Sequence, residues 1–211
     1  DFEYHQHMDA AVKVLLGEDL PLNAVHLGGA ACALARAWDA THPGSAQLAV
    51  EIDAKLAAYV RQWFDLPRSP RLRIRIDDAV VAAPSLKAEF WDVVVRDIFS
   101  GGTVPDSVCT PEFMHSCMNA LKSEGLFLIN AASAPTSQVQ AQFAALAQIS
   151  DFLVISDAAV ARGKRRGNLV LVARKTGFSV EDFDRLSRAL RKLPLPAQLY
   201  RHSDGALSRY N

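Results

Sequence analysis

Cysteine is scarce. Cys32, Cys109 and Cys117 are the three in 211 residues, an odd number at wide spacing. That pattern fits neither a disulfide framework nor a thiolate metal site, so reduced thiols in a cytoplasmic protein are expected. Long hydrophobic runs are missing too. No stretch approaches the roughly 20 apolar residues that span a bilayer, and no secretory leader pattern is visible. No membrane contact is expected of this segment. An excess of either charge is also lacking: Lys plus Arg and Asp plus Glu stand at 23 each. This balance argues against a nucleic-acid partner. Repeats and low-complexity segments are absent. The first residue is Asp1 and not Met, which leaves room for a segment upstream.

Half of the residues are apolar, enough for a sizeable core. They fall into short β-type runs at 24–27, 47–52, 72–76, 92–97, 125–130, 152–156 and 168–173. Helix-like stretches at 31–39, 54–64, 111–122 and 138–149 separate most of them. Continuous apolar strands alternating with amphipathic helices predict a parallel sheet covered on both faces. Thr110-Pro111-Glu112 is a helix start, and Gly125 suits its C-terminal cap. The last two runs are joined too tightly for a parallel crossover and predict an antiparallel pair at the sheet edge. The expected fold is therefore α/β: a doubly wound, seven-stranded, mostly parallel sheet with the last strand antiparallel, an arrangement that resembles class I S-adenosylmethionine-dependent enzymes. Residues 1–22 read as a lead-in helix segment, 23–175 as a nucleoside-binding catalytic domain and 176–211 as a helical appendage.

Ligands of such sheets sit beyond the carboxyl ends of the strands, where the winding reverses. The residues at those ends are informative. Gly28-Gly29 follows the first strand, Glu51 ends the second, Asp77-Asp78-Ala79 follows the third and Asp97 ends the fourth. An acid ending the second strand can accept bonds from both ribose hydroxyls. The stretch Ala30-Ala31-Cys32-Ala33 lacks the third glycine that packs a dinucleotide-binding helix. A nucleoside without phosphates fits better than a dinucleotide. His26 reads as a satisfied core residue, and His115 with Cys117 lacks a third metal ligand.

The ordered motifs resemble those of spermidine synthases and related polyamine aminopropyltransferases, over residues 1–173. "DFEYHQHM" is similar to the family's "DEFxYHEMM", "VHLGGAA" to "VLxIGGGDG", "VEID" to the same four residues, "RLRIRIDDA" to "RVxVxxDDG" and "WDVVVRDIFSGG" to the segment opening "YDVIIxDSxDP". The resemblance implies aminopropyl transfer from decarboxylated S-adenosylmethionine to an amine such as putrescine. Methyl transfer from S-adenosylmethionine and a catalytically degenerate nucleoside-binding module are the alternatives. It assigns ribose binding to Glu51, adenine to Asp78 and Ala79, close approach at the sulfonium to Gly28 and Gly29, catalysis to Asp97 and the amine side to Tyr4 and His5. It implies no metal and no prosthetic group, only the nucleoside co-substrate and the amine. A homodimer is expected in place of the family's tetramer.

Four positions depart from the family pattern: Ala31 and Ser100 replace aspartates, Gln6 a glutamate and Ala161 a tyrosine. The turn "RGKRRGN" adds Arg162, Lys164, Arg165 and Arg166 near the same mouth. Those charges repel a diamine within a Debye length of about 8 Å, and the stretch reads either as a solvated hairpin tip or as the holder of an anionic substrate or partner.

Overall fold

The computed structural model describes residues 2–29 and 31–211. Asp1 and Ala30, both part of the motifs above, lie outside the described residues. The chain opens with helix α1 (Glu3–Leu15) and then alternates β1 (Asn23–Leu27), α2 (Ala33–Thr41), β2 (Ala46–Glu51), α3 (Ala54–Trp63), β3 (Leu72–Ile76), α4 (Ala79–Ala82), β4 (Trp91–Arg96), α5 (Pro111–Ala120) and β5 (Leu121–Ala132). It continues with α6 (Thr136–Ala147), β6 (Phe152–Ser156), α7 (Ala158–Ala161), β7 (Asn168–Ala173), α8 (Val180–Leu190) and β8 (Gln198–Arg201). One sheet runs in the order β3-β2-β1-β4-β5-β7-β6-β8. β1 to β5 are parallel. β7 enters antiparallel between β5 and β6, and β8 runs antiparallel to β6.

The α/β class and the reversed seventh strand agree with the sequence reading. The strand count does not: there are eight strands and not seven. β8 has four residues, Gln-Leu-Tyr-Arg, of which only Leu199 and Tyr200 are buried. Such a segment, close behind Pro194 and Pro196, makes no apolar run for a sequence pattern to detect. With β8 added, the β6–β7 pair is no longer the outermost one.

The sheet is buried on both faces, as parallel sheets require. Along β5 the side chains alternate. Phe127 and Ile129 join Phe113, Met114, Phe143 and Phe152 on one face. Leu126 and Leu128 join Met8, Trp38, Leu186 and Leu190 on the other. α1 and α8 pack together on that second face, where Arg185 donates to the Val14 carbonyl. A capping box, Ser179 with Asp182, starts α8. Asp182 also accepts from the buried Arg174 at 2.5 Å.

The helix after Thr110 is shorter than expected. It ends at Ala120, and Leu121 pairs at once with Trp91. The register then slips, so that Val93 pairs with Leu126. Lys122, Ser123 and Glu124 form the exposed bulge, and Gly125 closes it. The role of Gly125 is therefore close approach and not helix capping. A Cβ there would lie 2.9 Å from the Trp91 carbonyl oxygen and 3.1 Å from that of Asp92. Gly125→Ala is expected to force β4 and β5 apart locally and cost about 1–3 kcal/mol. A urea unfolding midpoint equal to that of the parent would show that the bulge has slack.

Candidate active site

The strand order reverses between β1 and β4, which opens a cleft beyond their carboxyl ends. Gly28 turns the chain there with φ +83°, and a Cβ would sit 2.3 Å from the Asp97 carbonyl oxygen. At Gly29 a Cβ would meet the Ala49 side chain at 2.7 Å. Only glycine fits either position. Both glycine N–H groups donate to the Val50 carbonyl at 3.0 Å. They are occupied by the fold and form no phosphate cradle. What the turn offers a ligand is a surface without side chains.

A cavity of ≈ 110 Å³ lies beside this turn, walled by Gly28, Gly29, Ala31, the start of α2, Val95, Asp97 and the α1 residues Tyr4 and His5. Asp97 is the acid among its described lining residues. Tyr4 donates to Asp97 Oδ2 at 2.8 Å. Asn130 donates to Oδ1 at 2.8 Å and itself accepts from Asn168 at 2.8 Å. The His5 imidazole stands 3.9 Å from Oδ2. Burial pushes the Asp97 carboxyl up, but His5, Asn130 and Tyr4 together outweigh it and hold the group below the usual carboxylate range. Asp97 is thus ionised at neutral pH. Burial, with the Asp97 charge second, pushes the Tyr4 phenol up, so Tyr4 remains a donor.

The other predicted residues occupy the neighbouring strand ends. Glu51 closes β2, is 8% exposed, and accepts from the Asp53 N–H at 2.9 Å. Asp78 caps α4 by accepting from Val80 N–H at 2.8 Å, with Ala79 beside it. Asp77 is paired with Arg75. From β3 to β4 the edge spans three strand spacings, about 14 Å, enough for an extended nucleoside. His26 is a buried core residue, donating to Gln47 at 2.9 Å; burial lowers its pKa to about 4.

Sequence reasoning missed several contributors. Asn130 and Asn168 brace Asp97 from β5 and β7, and no sequence spacing announces that contact. Ile52 and Ile76 are 69% and 58% exposed at the strand ends beside Glu51 and Asp77. Two large aliphatics left in water at a cleft could cover a flat ring. Arg96 is fully buried, and donates through Nη2 to the Asn130 carbonyl at 3.2 Å and to Gln142. Burial lowers its pKa to about 10, so it stays charged and braces the same asparagine. Its signal was a cation inside the apolar run "VVVRD". Of the departing positions, Ala31 lines the cavity, Ala161 is buried, and Ser100 lies in an exposed turn with Thr103.

The crystal structure of a probable spermidine synthase from Corynebacterium glutamicum superposes with a TM-score of 0.85, at 32% identity, over 96% of this chain and 76% of that one. The chain belongs to the spermidine synthase family. Within this family it is similar to the polyamine aminopropyltransferase of Neisseria meningitidis, 29% identical over 118 residues, which are 56% of this chain and 44% of that relative. The chain thus spans less than half the length of that curated relative. The spermidine synthase fold is shared with methyltransferases: the eEF1A lysine and N-terminal methyltransferase of Bos taurus is 29% identical over 145 residues, 61% of this chain and 20% of that protein. No family model matches the chain.

The depressed carboxyl has a stability consequence. A group whose folded pKa lies below its unfolded value stabilises the fold above the unfolded value, and that stabilisation is lost as pH falls through the folded pKa. Tyr4→Phe removes one donor and should cost about 1 kcal/mol at neutral pH. The difference from the parent should vanish in acid, once Asp97 is protonated in both proteins. Urea unfolding at the two pH values checks this; a gap that persists in acid would mean that Tyr4 contributes packing alone.

Proposed function

We propose that the chain transfers an aminopropyl group from decarboxylated S-adenosylmethionine to an amine. One observation carries the reading. An ionised, braced carboxylate, Asp97, shares a small cavity with the side-chain-free turn Gly28-Gly29 at the point where the sheet winding reverses. Family membership supports it.

In this reading Glu51 accepts from the ribose hydroxyls. Asp78 and Ala79 hold the adenine edge, with Ile52 and Ile76 against the ring. The glycine turn lets the sulfonium end come close to the backbone. The acceptor enters beside Tyr4 and His5. A free alkyl ammonium has a pKa of about 10, so it must lose a proton before it can attack. Asp97 orients the nitrogen and takes that proton. The nitrogen lone pair then attacks the methylene beside the sulfonium. The new C–N bond forms as the C–S bond breaks, and the bonding pair returns to sulfur. Methylthioadenosine leaves as a neutral thioether, and the product nitrogen keeps its two remaining protons as an ammonium. Because Asp97 is held below the usual range, it is a better acceptor and orienter than a store for the proton, which passes on to water. Alignment of the two reactants supplies the larger part of the rate.

Methyl transfer is the second reading, favoured by the likeness to a lysine and N-terminal methyltransferase. Both readings bring an amine nucleophile to Asp97 and differ in which carbon of the sulfonium it attacks. Incubation with each donor in turn separates them, since methylthioadenosine is released in the first case and S-adenosylhomocysteine in the second.

Two substitutions test the site. Glu51→Gln removes the charge that strengthens the ribose bonds, each worth roughly 1.5–3 kcal/mol. Calorimetry should record at least about a tenfold loss of nucleoside affinity, and an unchanged affinity would remove Glu51 from the site. Asp97→Asn keeps the shape but abolishes the base, so turnover should fall about 10²–10⁴-fold while methylthioadenosine binding changes little. Intact turnover in this variant would sink the mechanism.

A further inference from the structure

The cavity offers an arriving amine a single carboxylate. Among its described lining residues Asp97 is the one acid, and both of its oxygens already accept hydrogen bonds, from Tyr4 and Asn130. A diamine is a dication at neutral pH. One ammonium can meet Asp97, but the lining supplies no second acid for the other.

The turn before β7 has the opposite sign. α7 ends in a turn that carries Arg162, Lys164, Arg165 and Arg166, all exposed. The turn is a built feature. Gly163 N–H donates to the Val160 carbonyl at 2.8 Å and Lys164 N–H to that of Ala159 at 2.7 Å. Gly163 has φ +67°, and a Cβ there would fall 1.1 Å from Arg209 Nη1. The guanidinium of Arg209 therefore packs onto the turn and adds a fifth cation, held by Thr136 at 3.2 Å. One carboxylate, Asp157, lies 3.6 Å from Arg165 and is also engaged in capping α7.

The turn is tied to Asp97 through side chains. Gly167 N–H donates to Ser133 Oγ at 3.0 Å. Asn168 Nδ2 donates to Asn130 Oδ1, and Asn130 Nδ2 to Asp97 Oδ1, each at 2.8 Å. Arg166 lies two positions before the start of that chain. β7 starts at Asn168 opposite Ala132, the last residue of β5, so the turn before it lies at the carboxyl edge of the sheet, the same edge at which Asp97 follows β4.

We propose that the acceptor is an amine bearing an anion, a carboxylate or a phosphate, at the end away from the reacting nitrogen, and that the turn Arg162–Arg166 with Arg209 selects it. This rests on the amine lying at Asp97, as in the function proposed above. The cations attract the anionic end, steer its approach and repel a second ammonium within the screening length.

The test uses the full chain saturated with methylthioadenosine and titrated calorimetrically with putrescine, γ-aminobutyrate and phosphoethanolamine. At low salt at least one of the two anionic amines should bind about tenfold or more tightly than putrescine. Comparison of the two tells carboxylate from phosphate. Raising the ionic strength should erase the preference, and so should the combined change Lys164→Glu, Arg165→Glu and Arg166→Glu. The single Arg166→Gln should weaken it, and unfolding midpoints of both variants check their folds. The proposal is overturned if putrescine binds as tightly as the anionic amines, if none of the three binds, or if the charge reversal leaves the order of affinities unchanged. Turnover separates it from the function on which it rests. Selective binding of an anionic amine without aminopropyl transfer leaves the selectivity standing and removes the reaction. Transfer to putrescine as the best acceptor does the reverse.

Discussion

The architecture of the site depends on keeping one carboxylate charged while most of it is taken out of water. A buried acid without partners would take up a proton and lose its use as an acceptor. Asp97 stays ionised because donors reach it from elements far apart in the chain. Tyr4 comes from α1 and Asn130 from β5, 93 and 33 positions away. These donors can meet only after the sheet has formed with α1 laid across its face. The fold and the charge state are therefore one problem: the packing of α1 on β5 and β7, with Met8 and Val12 inside the shared core, is what brings Tyr4 to its carboxylate.

Much of the fold was legible because periodicity reports burial. Runs such as "NLVLVA" are apolar on both faces, which is the environment of a strand inside a covered sheet. The acids at the strand ends were legible for a related reason. In a parallel sheet the chain order places successive carboxyl ends along one edge, so Glu51, Asp78 and Asp97 could be set side by side without coordinates. What escaped was whatever depends on tertiary contact. Gly125 reads as a helix cap in one dimension; only the proximity of the Trp91 and Asp92 carbonyls shows that it closes a bulge. Asn130 reads as the polar end of a strand until β7 is inserted beside β5. β8 buries only two side chains and cannot be seen before its neighbour β6 exists.

Arg96 shows how a site can draw on a residue that never reaches it. A guanidinium with no solvent exposure is costly to bury, and among the described residues no carboxylate forms an ion pair with it. Its bonds to the Asn130 carbonyl and to Gln142 fix the strand on which the Asp97 donor sits. Asp97 lies next to it in sequence, so the two opposite charges of "RD" serve the same asparagine, one through its main chain and one through its side chain.

β3 and β8 are the outer strands of the sheet, and each presents arginine. The β3 segment reads Arg71-Leu72-Arg73-Ile74-Arg75, and β8 ends at Arg201. With a formal net charge of +0, two molecules meeting near neutral pH feel little overall repulsion, the condition under which proteins precipitate most readily. Colloidal stability then falls to local charge. An exposed strand edge is a template for further strands; on β3 Arg71 and Arg75 are paired with Asp39 and Asp77, and growth along that edge would still set Arg73 opposite its own copy. Charge on the two short edges thus opposes edge-to-edge growth without the large net charge that would weaken the compact state.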